Sequence, residues 1–129
     1  MATADFTFSG PANHWRILMA GGTPLRRSVL DAEALDVTVE AASNTGGIYD
    51  PSVATVEMAF LADWVNPTTP DWHAGTWAVG LTGLHVAQIN PGPGGLALAV
   101  GTYYVWVRIT DGALADSPIV QQLGTLIIQ

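Results

Sequence analysis

The chain has 129 residues, a formal net charge of −7, no cysteine and no lysine, so that its four cations are all arginine. That length fits one domain with one core, and the missing cysteines exclude a disulfide framework, a thiolate zinc site and a cysteine nucleophile. A nucleic-acid binder needs a cationic stripe to displace counterions, and this composition cannot supply one. Charged residues make up 12% of the chain, against about 25% in ordinary soluble domains, and the mean hydropathy is +0.31. A domain so poor in charge is expected to hide part of its surface against a partner or a second copy of itself. The N-terminus carries neither the basic nor the apolar region of a secretory signal. Apolar runs such as 96–100 fall far short of the about 20 residues a bilayer requires. Synthesis in a cytoplasm and no membrane partner are the expectations.

In chain order, residues 3–9 alternate around Phe6 and Phe8 and read as a first strand, stopped by Gly10 and Pro11. Residues 14–20 (HWRILMA) are a second strand, stopped by Gly21 and Gly22. Residues 28–34 (SVLDAEA) are the only helical candidate, with Ser28 as a cap and Asp31 three positions on. Seven residues are too few for a stable helix, so a single turn or a strand lead-in is expected. Residues 35–41 (LDVTVEA) alternate cleanly, with Leu35, Val37 and Val39 on one face. The stretch 43–52 is loop, rich in Asn and Gly.

Residues 53–61 (VATVEMAFL) form the next expected strand, with Val56, Met58 and Phe60 inward and Glu57 toward solvent. Residues 66–71 (NPTTPD) break the chain again. Residues 76–81 and 84–89 read as a hairpin turning near Thr82 and Gly83, and 90–95 (NPGPGG) as a Pro/Gly turn. Residues 102–110 (TYYVWVRIT) are the strongest strand signal, with Tyr103, Val105, Val107 and Ile109 on one face and Tyr104, Trp106 and Arg108 on the other. After a loop at 111–118, residues 119–129 are the last strand, bent at Gly124. Seven to eight strands and at most one helical turn predict an all-β, immunoglobulin-like antiparallel sandwich over residues 1–129, with 1–34 as a possible N-terminal arm. Leu98, Gly101 and Tyr103, at the opening of a long late strand, have the pattern of a tyrosine corner. The competing reading of Tyr103 is an ordinary aromatic strand residue.

Catalytic and metal chemistry find little to build on. His14, His73 and His85 lack the close paired spacing that zinc prefers, although Asp71 and His73 would point the same way on an extended segment. The acidic residues at 111–116 and 44–50 are too sparse for a calcium loop. No Gly-x-Ser-x-Gly elbow is present, and Asp31 with Glu33, Asp36 with Glu40, and Glu57 do not form an evident acid–base couple. Neither a cofactor nor an enzymatic role is expected.

Tryptophan is the excess: Trp15, Trp64, Trp72, Trp77 and Trp106. Three of the five crowd into 63–77 (DWVNPTTPDWHAGTW). They could close one end of the core as a lid, form a protein-docking patch, or present rings for stacking sugars. Arg26 and Arg27, with Arg16, make the N-terminal third the locally basic region and a candidate anchor for an acidic partner. The candidate partner-binding set is therefore Trp15, Arg16, Arg26, Arg27, Trp64, Trp72 and Trp106.

The run 50–61 (DPSVATVEMAFL), then 70–77 (PDWHAGTW), 90–111 (NPGPGGLALAVGTYYVWVRITD) and 117–129 (SPIVQQLGTLIIQ) resembles small virion-associated proteins of actinobacterial phages and prophages. The GTYYVWVRIT ending with its GTLII strand also looks like the sandwich domains of phage baseplate components. The resemblance covers the chain from Asp50 onward and is weaker before it. It implies a non-enzymatic structural protein of the virion, with the major capsid protein or other virion proteins as partners. A net charge of −7 disfavours a surface pressed against packaged DNA at close range. A capsid decoration protein on the outer shell is the favoured station, and a tail, neck or baseplate accessory or a carbohydrate-binding adhesion module is the alternative.

Overall fold

The computed structural model describes residues 2–7, 12–19, 22–43, 53–78, 85–110 and 118–129. Among them are ten strands and one 3₁₀ turn. The strands are β1 (Ala2–Thr7), β2 (Ala12–Met19), β3 (Leu25–Arg27), β4 (Leu35–Ser43), β5 (Thr55–Leu61), β6 (His73–Ala74), β7 (Thr76–Ala78), β8 (His85–Ile89), β9 (Gly101–Thr110) and β10 (Ile119–Ile128). They form two five-stranded sheets, ordered β1-β2-β4-β8-β7 and β3-β10-β9-β5-β6. Every pairing is antiparallel except β3 with β10.

The four-strand order β2-β4-β8-β7 facing β5-β9-β10 is the immunoglobulin-like arrangement, in which the first, second, fifth and fourth strands oppose the third, sixth and seventh. β1, β3 and β6 are additions to that frame. The expected count of seven to eight strands was low because β3 and β6 are only three and two residues long. Runs that short carry no readable period.

The chain crosses between sheets on both lateral sides. β2 lies in the first sheet and β3 in the second, with a cis peptide bond at Thr23–Pro24 between them. The Thr125 amide donates to Thr23 Oγ1 at 2.9 Å and fastens that crossing to β10. On the other side, β6 pairs with β5 and β7 pairs with β8, while the Gly75 amide between them donates to the Val56 carbonyl at 2.9 Å. Such crossings leave short rather than long open edges.

Alternation fixes the inner faces. Ile17, Met19, Leu35, Val37, Val39, Ala87 and Ile89 come from the first sheet, and Val56, Met58, Val105, Val107, Ile109, Leu126 and Ile128 from the second. All are buried, and Phe60, Leu98 and Tyr103 pack against them. The β-branched and linear aliphatic chains fill the space between the sheets without a disulfide. β2 and β3 are woven into this frame, since β3 pairs with β10 and β2 pairs with β4 and buries Ile17 and Met19 completely.

The polar interruptions do specific work. At 28–31 the chain makes one turn, with the Asp31 amide donating to the Ser28 carbonyl at 3.0 Å and the Leu30 amide to Ser28 Oγ at 3.1 Å. A reciprocal cap forms instead at the 3₁₀ turn Thr69–Asp71, where Asp71 Oδ2 accepts from the Thr68 amide at 2.7 Å and from its hydroxyl at 3.0 Å. The NPGPGG turn needs its glycines, because a Cβ at Gly92 would collide with the Asp31 carbonyl oxygen and one at Gly95 with that of Asn90. Gly124, the expected bend, sits at a register shift in β10. The turns expected at Gly10–Pro11 and Thr82–Gly83 and the loops 44–52 and 111–117 lie outside the described residues.

Tyr103 forms the tyrosine corner. Its hydroxyl donates to the Ala99 carbonyl at 2.7 Å, four residues upstream. Gly101 opens β9, where an added Cβ would come into ordinary contact with the Tyr103 ring, and Leu98 packs on the core. The hydroxyl thus ties the loop before β9 to the sandwich.

Candidate functional site

The outer face of the second sheet collects the aromatic and charged side chains that the core does not use. On β9, Tyr104, Trp106 and Arg108 point away from Val105, Val107 and Ile109, as the two-residue period requires. Register sets Arg108 opposite Glu57, Trp106 opposite Ala59 and Tyr104 opposite Leu61 on β5. On β10 the corresponding neighbours are Val120, Gln122 and Thr125.

The loop after β5 brings Trp64 back over this surface. Its ring meets Tyr104 edge-on, with centroids 5.1 Å apart and planes at 87°, and lies 6.1 Å from Trp106 at 47°. Aromatic pairs favour such tilted geometries over face-to-face stacking. Trp64 nevertheless remains 64% exposed, and the adjacent Val65 is exposed as well. Ala59 shows that the cluster forms a layer: it faces outward, away from the inter-sheet core, yet it is fully buried. The indole N–H of Trp106 is buried in that layer without a hydrogen-bond partner.

Arg108 borders the cluster on the other side. Nε and Nη2 donate to Glu57 Oε1 at 3.0 and 2.8 Å, and the guanidinium carbon lies 4.6 Å from the centre of the Trp72 ring. A planar guanidinium satisfies the carboxylate with its edge and the indole with its face. Glu57, expected to look at solvent, is thus half-buried and paired. Gln122, across from Trp106, turns its amide back to donate to the Gly124 carbonyl at 2.6 Å.

The structure therefore gathers Trp64, Trp72 and Trp106 on one face and separates them from the arginine pair. Arg26 is exposed on β3, at the far edge of the same sheet. Arg27 turns to its own loop, donating to the Glu33 carbonyl at 2.6 Å, with Nε 4.0 Å from the Asp31 carboxylate, too far for a hydrogen bond. Trp15 and Arg16 lie on β2, opposite Ala41 and Glu40 in register, and their side chains lie outside what is described. The tryptophans at 63–77 divide between two roles. Trp77 packs on the core and donates from Nε1 to the Ala54 carbonyl at 2.9 Å, while Trp64 and Trp72 serve the outer face.

Sequence reading put Tyr104 on the face of Trp106 and Arg108 but left it out of the candidate partner-binding set, and it missed the Glu57–Arg108 pair. Alternation put each residue outward, but only register reveals which of them meet. Among the described residues no group of three or more His, Asp or Glu is placed to hold a metal ion. Asp71 is engaged by Thr68 and Glu57 by Arg108. No helix among the described residues is long and apolar enough to cross a membrane. A comparison of the chain with protein-family models, with curated proteins and with solved structures returned no match.

Proposed function

We propose that this chain is a non-enzymatic structural protein of a bacteriophage virion, a capsid decoration protein that docks on the outer surface of the major capsid protein through the outer face of its second sheet. The observation that carries the docking role is Trp64, an indole fixed by Tyr104 and Trp106 yet left largely open. Interface hot spots are rich in Trp, Tyr and Arg, the residue types that converge here. A ring already held by its neighbours loses little conformational freedom on docking. The low charge content of the chain fits a surface that is partly covered. The station on a virion comes from the resemblance of residues 50–129 to virion-associated phage proteins.

The test is mass spectrometry of density-banded virions produced by a lysogen or infection carrying the gene. The chain should band with the particles at a fixed ratio to the major capsid protein. Its recovery in the soluble fraction alone would end the proposal.

A further inference from the structure

The partner's chemistry can be read from what the aromatic face leaves free. Arg108 is the cation within the aromatic cluster and is committed to Glu57 and Trp72, while Arg26 lies on the same outer face but on β3, two strands from β9 at the far edge of the sheet. Asp63, next in the chain to Trp64, is exposed and forms no ion pair among the described residues. Asp71 adjoins Trp72 and keeps its charge while accepting from Thr68. Around the aromatic cluster Glu57, Asp63 and Asp71 against Arg108 give three negative charges and one positive, and counting Arg26 at the far edge the face stays negative, within a chain of −7. An anionic partner would be repelled by such a face.

The polar strand residues of this face, which could otherwise grip sugar hydroxyls, are engaged within the protein, whereas Asp63 and Asn66, near Trp64 in the chain, are exposed. Glu57 and Arg108 hold each other, and the Gln122 amide donates to Gly124. The exposed apolar groups of this face are Trp64 with Val65 beside it in the chain, and Val120 on β10 across from Arg108. An open indole whose preceding residue carries an exposed carboxylate can receive a cation, since a ring quadrupole and a carboxylate both attract one. The Arg108–Trp72–Glu57 cluster is the same arrangement already filled from within.

We infer that this face receives a cationic protein surface, an arginine or lysine of the partner seating on the Trp64 ring beside the Asp63 carboxylate. The inference rests on the docking role proposed above and adds the charge and side-chain type of the partner.

The test uses the full chain, its indole N–H resonances followed by two-dimensional NMR, and hexa-arginine as the probe. The Trp64 resonance should shift saturably with hexa-arginine and stay still with hexa-glutamate. Apparent affinity should fall about threefold when ionic strength is raised from about 0.05 to about 0.3 M. Trp64→Ala should abolish the response of the remaining indoles on this face, and Asp63→Asn should weaken binding about threefold. Trp64→Phe, which keeps a ring, should retain part of it. A shift of Trp64 by maltohexaose with none by hexa-arginine would replace the inference with glycan binding. A hexa-arginine response that survives Trp64→Ala in a folded protein would overturn it. A chain that bands with virions but gives a flat hexa-arginine titration defeats this inference alone. A chain absent from virions with an intact Trp64-dependent titration defeats the docking station alone.

Discussion

Gln121 offers a prediction that runs against the usual direction of core mutations. It lies on the inward side of β10 between Ile119 and Leu123, opposite Val107, and is only 5% exposed. Neither Nε2 nor Oε1 has a hydrogen-bond partner among the described residues. A buried unsatisfied polar group costs about 1–3 kcal/mol relative to one that is paired or absent. Methionine has nearly the same length and shape and no such requirement. Gln121→Met should therefore raise stability by about 2 kcal/mol. With a urea dependence of about 2 kcal/mol per molar, the unfolding midpoint should rise by about 1 M. Gln121→Glu keeps the shape and adds a charge, and should lower stability by at least about 2 kcal/mol. Equilibrium urea unfolding followed by circular dichroism measures all three proteins. A midpoint that falls in Gln121→Met would refute the reasoning, because it would mean that the amide is satisfied and contributes.

Tyr103→Phe removes the hydrogen bond to Ala99 and leaves the ring, so it should cost about 1 kcal/mol and about 4 °C in Tm; an unchanged melting curve would remove the corner as a stabilising element. A double-mutant cycle with Glu57→Gln and Arg108→Met should give a coupling near the top of the exposed-pair range, about 1 kcal/mol, since both side chains are less than a third exposed. Additive unfolding energies would show that the pair is only a geometric contact. Gly92→Ala should destabilise by about 1–3 kcal/mol in thermal unfolding, because its methyl group displaces the Asp31 carbonyl and with it the 28–31 turn. A fully neutral substitution would mean that the two loops do not pack.

The sandwich was legible in the sequence wherever a strand was long enough to show its period. Leu35, Val37 and Val39 alternate with polar residues and are buried, and Val105, Val107 and Ile109 behave the same way. The tyrosine corner was legible because Leu98, Gly101 and Tyr103 keep a fixed local spacing. β3 and β6 were not legible: two or three residues carry no period, and their pairing is set by β10 and β5. The aromatic outer face was half legible. Trp64, Trp72 and Trp106 stood out as types, but they are brought together by the register of β9 on β5 and by the return of the loop after β5. Glu57 read as a solvated strand residue because its partner lies 51 positions away. Of the 63–77 tryptophans, Trp77 packs on the core, while Trp64 and Trp72 lie on the outer face.

The central claim is that the outer face of the second sheet is covered by another protein in the assembled particle. Carbene footprinting of the chain free in solution and on banded virions, read residue by residue by mass spectrometry, addresses it directly. Trp64, Val65 and Tyr104 should lose labelling on the particle, while Leu30 and Val100, exposed in loops elsewhere on the molecule, should label equally in both states. Protection of Leu30 and Val100 with Trp64 still open would contradict the account and assign docking to another surface.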